Sequence, residues 1–116
     1  MALQVVTHAN FGATVGASTG VYVLLLHDFY PPLGSPEIGQ EALMEAVMLH
    51  YAEYTITGVA FGHSDIIVRD ILGDVPNVRT RPSYIFYFNH VEYYRTSAYL
   101  TDEQIKYIIE QKRTGV

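Results

Sequence analysis

Residues 21–37 read VYVLLLHDFYPPLGSPE, a continuous apolar run followed by a loop rich in proline. A run as uniformly apolar as that from Val21 to His27 predicts a central strand that is covered on both faces. Ser35 is a favourable helix N-cap, and Pro36 is favourable at the first helical position. The stretch therefore predicts a buried strand, a loop and the start of a helix.

Strand-like and helix-like segments alternate along the rest of the chain. Thr101 and Gln104 form a capping box, which predicts the start of a last helix. Ser64 and Asp65 predict the cap of a shorter helix that ends before Gly73. The remaining pattern predicts strands at 3–7, 55–61, 84–88 and 91–95 and a helix from 36 to 51. This order predicts that residues 1–116 form one α/β domain, with a mixed sheet of four to five strands flanked by helices on both faces.

The composition excludes several classes of function. The chain has no cysteine, which excludes disulfides, thiolate chemistry and cysteine-ligated zinc. Its net charge of −5 argues against nucleic acid as a partner, because phosphate binding needs clustered lysine and arginine. No apolar run approaches the ~18 residues of a membrane span and no signal peptide is visible, so we expect no membrane insertion and favour a cytoplasmic location. Only 16% of residues are charged, which predicts exposed apolar patches that contact other proteins.

The order of elements and residues 28–37 resemble the thioredoxin family. The family strand and active-site motif read D-F-W-A-E-W-C-G-P-C, and this chain has DFYPPLGSPE at the same place. Asp28, Phe29 and Pro36 match the family residues, and Tyr30 replaces one aromatic side chain with another. The resemblance implies the thioredoxin-like fold over nearly the whole chain.

The two redox cysteines of the family fall on Gly34 and Glu37, and the family tryptophan falls on Leu33. Because disulfide exchange requires a thiolate, we expect a redox-inactive protein without catalytic residues in this loop. The degenerate active-site loop, Leu33-Gly34-Ser35-Pro36-Glu37, is then structural, and Glu37 is well placed to interact favourably with the helix N-terminus.

Asp28 takes the place of the family's buried acid. Burial without a partner would raise its pKa and could make it a general acid. The other interpretation is a hydrogen-bonded side chain without a catalytic role, with Tyr30 as its partner.

Residues 78–82 read VRTRP and resemble the family's I-R-G-I-P, which places Pro82 at the family's cis-proline. The resemblance implies a cis peptide bond there and an edge that pairs with extended peptides. Arg81 puts a cation on this face, where it could pair with Glu37 or Asp28 or bind an acidic partner. We therefore predict that Arg81 and Pro82 contact a partner.

The last predicted strand carries Tyr93 and Tyr94, which point to opposite faces. If this strand lies at the edge of the sheet, at least one ring is exposed, and tyrosine is favoured in protein interfaces. The five histidines are scattered in the sequence. His50 and Glu53 could share a metal, but no further ligand follows at a recognisable spacing, so we expect neither a metal nor another cofactor.

These observations predict a non-catalytic, thioredoxin-like protein that acts as a structural or protein-binding subunit of a larger complex. The alternative is a chaperone-like module that binds peptides in the groove beside Pro82 without redox chemistry. A third possibility is an enzyme or small-ligand binder that uses Asp28 or Glu37.

Overall fold

A computed structural model describes residues 2–78 and 81–114. These residues form five strands, three α-helices and two 3-10 helices. In chain order they are β1 (Gln4–Val5), α1 (Phe11–Thr14), β2 (Val21–His27), a first 3-10 helix (Pro36–Gly39), α2 (Gln40–Glu53), β3 (Val59–Asp65), a second 3-10 helix (Asp70–Gly73), β4 (Ser83–Phe88), β5 (Val91–Thr96) and α3 (Asp102–Arg113).

The strands form a single mixed sheet with the order β1-β3-β2-β4-β5. β1, β3 and β2 are parallel, whereas β4 runs antiparallel to β2 and β5 antiparallel to β4. The carboxyl ends of β2 and β3 therefore lie side by side, next to the amino end of β4. The predicted α/β fold with a mixed sheet is confirmed.

β2 is buried along its whole length because each of its faces packs against a separate core. Val21, Val23 and Leu25 point to the face that α2 and α3 cover. The alternate side chains point to the face covered by α1 and the second 3-10 helix, as the strand period of two requires. Because both faces of β2 are buried, its sequence is apolar at nearly every position. The prediction of a strand covered on both faces is confirmed.

β3 begins later than the sequence predicts. Thr55 has a φ of 54° and Gly58 a φ of 81°, and the left-handed region is incompatible with an extended strand. Pairing starts at Val59, opposite Val21, and continues through Ser64 and Asp65. The predicted helix cap at those two residues is therefore wrong. They end a strand, and the short helix that follows is the second 3-10 helix.

Local signals at other element ends agree with the structure. The Ser35 hydroxyl accepts a hydrogen bond from the backbone N–H of Glu37, which confirms Ser35 as a cap. At α3, Thr101 and Gln104 form the predicted capping box, with each side chain accepting from the other's backbone N–H. The Arg81–Pro82 peptide bond is cis. Arg79 and Thr80 lie outside the described residues. None of the helices in residues 2–78 and 81–114 has the length and apolarity needed to span a membrane.

Candidate functional site at the carboxyl end of the central strands

The loop after β2 begins with an Asx turn rather than with a buried acid. The Asp28 carboxylate accepts a hydrogen bond from the backbone N–H of Tyr30 at 2.9 Å. The Asp28 side chain is only partly buried, because β2 ends one residue earlier, at His27. The prediction of a buried acid is therefore wrong, whereas its hydrogen bonding to residue 30 is found, through the backbone rather than the tyrosine hydroxyl.

The tip of this loop is exposed and apolar. Tyr30 is 85% exposed and Leu33 is 97% exposed, and we call these two residues the apolar loop tip. Gly34 follows with a φ of 85°, a conformation that glycine adopts without steric cost. The two positions that the sequence resemblance matches to the family cysteines carry a left-handed glycine, Gly34, and the buried Glu37.

Glu37 is a buried carboxylate with one charged partner. Its side chain is 6% exposed, and Oε2 lies 3.3 Å from Nε of Arg81. Among the described residues, Oε1 of Glu37 has no hydrogen-bond partner. Glu37 and Asp28 were the two acidic side chains expected to pair with Arg81, and the structure shows the ion pair with Glu37. The amino end of β4 makes this pair possible, because it brings Arg81 beside the helix that begins after β2.

Two buried histidines lie at the ends of the neighbouring parallel strands β2 and β3. Nε2 of His27 is 3.0 Å from Nδ1 of His63, a hydrogen-bond distance. Burial, with a smaller contribution from the neighbouring His63, lowers the pKa of His27 to about 4. Burial also lowers the pKa of His63, against the opposing effect of Glu41 and other carboxylates. Both imidazoles are therefore neutral at pH 7, and one hydrogen atom joins them.

Further groups surround the histidine pair. The ring of Phe29 stacks on His63, with ring centres 4.3 Å apart and planes inclined by 21°. Oε1 of Glu41, in the first turn of α2, lies 3.5 Å from Nδ1 of His63. One ligand atom from each of His27, His63 and Glu41 lies within 4.8 Å of the other two. In the described part of the chain, Nδ1 of His27 has no hydrogen-bond partner.

Sequence reasoning missed this cluster because the two histidines are 36 residues apart. One signal was present: each histidine lies near the carboxyl end of a predicted or observed β segment. Parallel neighbours bring such ends together, but only the sheet order shows that β2 and β3 are neighbours. His50 and Glu53, the pair considered from the sequence, are not part of the cluster.

The predicted tyrosine surface lies apart from this site. β4 separates β5 from β2, so Tyr93 and Tyr94 are two strands away from the apolar loop tip. Tyr93 is partly buried, and its hydroxyl donates to the carbonyl of Ile108 at 2.9 Å. Tyr94 is exposed, as expected for one of the two. Pro82 is buried, so Arg81 is the exposed member of its pair.

The chain is similar to known proteins in its structure and not detectably in its sequence. No family model matches the sequence, and no curated protein sequence matches it significantly. Among solved structures, a mutant thioredoxin from Halobacterium salinarum is similar, with a TM-score of 0.71 and 15% sequence identity. The match covers 97% of this chain and 91% of the other. The chain therefore has the thioredoxin fold, in a sequence that contains no cysteine.

Proposed function

We propose that this protein is a non-catalytic, protein-binding domain that acts as a subunit of a larger assembly. The observation that carries the proposal is the apolar loop tip. Tyr30 and Leu33 are among the most exposed large apolar side chains of the described chain, and both lie in one short loop. Exposed apolar side chains that are close together mark binding surfaces more often than scattered ones do.

The groups behind the apolar loop tip support binding rather than chemistry. The Glu37 carboxylate forms an ion pair with Arg81, and the backbone N–H of Glu37 donates to the hydroxyl of Ser35. Gly34 has no side chain that could take part in a reaction. These contacts hold the base of the loop, which keeps the cost of ordering it on binding low. The partner we expect presents an apolar pocket that accepts an aromatic and an aliphatic side chain. The low fraction of charged residues also favours contacts with other proteins.

The test is recovery of the natural complex from cells that express the protein. We compare the tagged wild type with Tyr30→Asp, which places a charge at the apolar loop tip. Tyr107→Asp is the matched control, because Tyr107 is an exposed tyrosine on α3. We expect Tyr30→Asp to lower recovery of a stoichiometric partner roughly tenfold or more, as for a central interface residue. Tyr107→Asp should leave recovery unchanged.

Equal recovery with both variants, or a monomer without any partner in light scattering, would argue against this function. Binding to a permanently unfolded protein, such as reduced and carboxymethylated lactalbumin, distinguishes the chaperone-like alternative. If Tyr30→Asp weakens that binding and no stoichiometric partner is recovered, the module binds unfolded chains instead. Reduction of insulin disulfides should be absent in every case, because the chain has no thiol.

A further inference from the structure

Three side chains from three different elements converge at the carboxyl end of β2 and β3. His27 ends β2, His63 lies in β3, and Glu41 lies in the first turn of α2. Nε2 of His27 and Oε1 of Glu41 lie 3.0 Å and 3.5 Å from Nδ1 of His63. None of the three side chains belongs to the apolar loop tip, and the binding function proposed above does not need them.

We propose that His27, His63 and Glu41 bind a zinc ion. Zinc bonds to imidazole nitrogen and carboxylate oxygen are about 2.0–2.1 Å long in a tetrahedral site, so two ligand atoms lie about 3.3 Å apart. The two separations from Nδ1 of His63, 3.0 Å and 3.5 Å, bracket this value, and all three ligand atoms lie within 4.8 Å of one another. Two imidazoles and one carboxylate form a known zinc donor set, and they leave a fourth position for water or a ligand.

The chemistry of the donors favours zinc over the lighter divalent cations. Magnesium and calcium prefer oxygen ligands, whereas imidazole nitrogen favours zinc and neighbouring transition metals. A metal binds the lone pair of an imidazole nitrogen, and His27 and His63 bring one ring nitrogen each to the same place. The His27–His63 hydrogen bond would be replaced by two metal–nitrogen bonds.

The surroundings also fit a metal site. Phe29 covers His63 from one side and excludes water there. Glu41 is partly exposed, and it provides a route by which a cation can reach the buried nitrogens. The competing interpretation is a neutral histidine–histidine hydrogen bond without any metal function, and the experiment has to separate the two.

The experiment is calorimetric titration of the full chain with zinc chloride, after removal of metal with a chelator. We expect one zinc ion per chain and no binding of magnesium. Glu41→Gln should weaken zinc binding roughly 10- to 100-fold, because it removes a charged ligand. Glu53→Gln is the matched control, because Glu53 is an exposed carboxylate at the end of α2 outside the cluster, and it should change binding less than about twofold. His63→Ala should abolish binding.

Variants of the buried histidines could fail to fold, so a measurement on the wild type is included. X-ray absorption of the zinc-loaded chain should show two imidazole ligands and at least one oxygen ligand. No binding, equal effects of Glu41→Gln and Glu53→Gln, or fewer than two imidazoles in the absorption spectrum would overturn the proposal. Loss of binding on replacement of the exposed His8, which pairs with Asp74, would also overturn it by locating the zinc elsewhere.

Discussion

The Glu37–Arg81 pair and the His27–His63 pair lie at the same end of the sheet but differ in charge. Glu37 is a buried carboxylate that depends on one exposed cation, at 3.3 Å. The histidines form a neutral pair, at 3.0 Å, because burial disfavours their protonated forms. The charged pair includes Glu37, from the loop whose sequence resembles the thioredoxin active-site motif. It stabilises a loop, whereas the neutral pair keeps nitrogen lone pairs that could bind a ligand.

Two polar pairs at the same end of one sheet thus differ in the chemistry that is open to them. In the loop after β2, Gly34 has no side chain and Glu37 forms an ion pair with Arg81. At the strand ends beneath them, two imidazoles and a carboxylate are close enough to act together. The predictions below test whether the two pairs differ energetically as their charges require.

Removing the cation of the charged pair should have the largest effect on stability. Arg81→Met keeps most of the aliphatic stem but leaves the buried Glu37 carboxylate without its charged partner. Breaking a buried ion pair from one side costs about 3 kcal/mol when the remaining partner stays charged, and Arg81 is partly exposed, so we expect the lower end of the range. Urea unfolding at pH 7 measures the change.

The matched control for this prediction adds Glu37→Gln to Arg81→Met. The neutral amide does not require a cation, so the double variant should regain most of the lost stability. A loss below about 1 kcal/mol in Arg81→Met would mean that the Glu37 carboxylate is solvated and does not depend on its cation. The charge difference between the two pairs would then have no energetic consequence.

Acid should destabilise the neutral pair by a smaller amount. The folded-state pKa of His27 is about 4, below its ordinary value of 6.5, with burial and His63 lowering it and Asp65 and Asp28 opposing. The unfolded chain therefore binds more protons between those values. Stability from this group is complete above pH 6.5 and is lost as the pH falls toward 4. We expect His27 to account for about 2 kcal/mol of the loss.

The measurement compares urea unfolding of the wild type and His27→Leu at pH 7 and at pH 4.5, with a chelator present. Leucine cannot be protonated, so the variant should lose less stability on acidification. Parallel pH dependence in the two proteins would show that His27 is solvated or protonated in the folded state.

The parts of the fold that the sequence predicts are those specified by neighbouring residues. The apolar run of β2, the cap at Ser35 and the capping box at Thr101 are local signals, and each is found. The start of β3 was mispredicted because it depends on register with β2 and on left-handed residues that precede Val59.

The site divides in the same way. The sequence left two ionic partners open for Arg81, because the approach of β4 to the helix start is not a local property. Asp28 was expected to be buried, but β2 ends one residue earlier than that prediction requires. The histidine cluster needed the sheet order, which brings residues 36 positions apart into contact.

The smallest stability effect is expected at the apolar loop tip. Leu33 is 97% exposed, so Leu33→Asp removes almost no buried area and should change the free energy of unfolding by less than about 0.5 kcal/mol. The same change should lower partner recovery as Tyr30→Asp does, because a charge replaces an apolar contact. Thermal unfolding and complex recovery, measured on one preparation, separate the two effects. A large loss of stability would show that Leu33 packs against the domain, and unchanged recovery would remove it from the binding surface. Stability retained with binding lost would show that the apolar loop tip contacts the partner and contributes little to the fold.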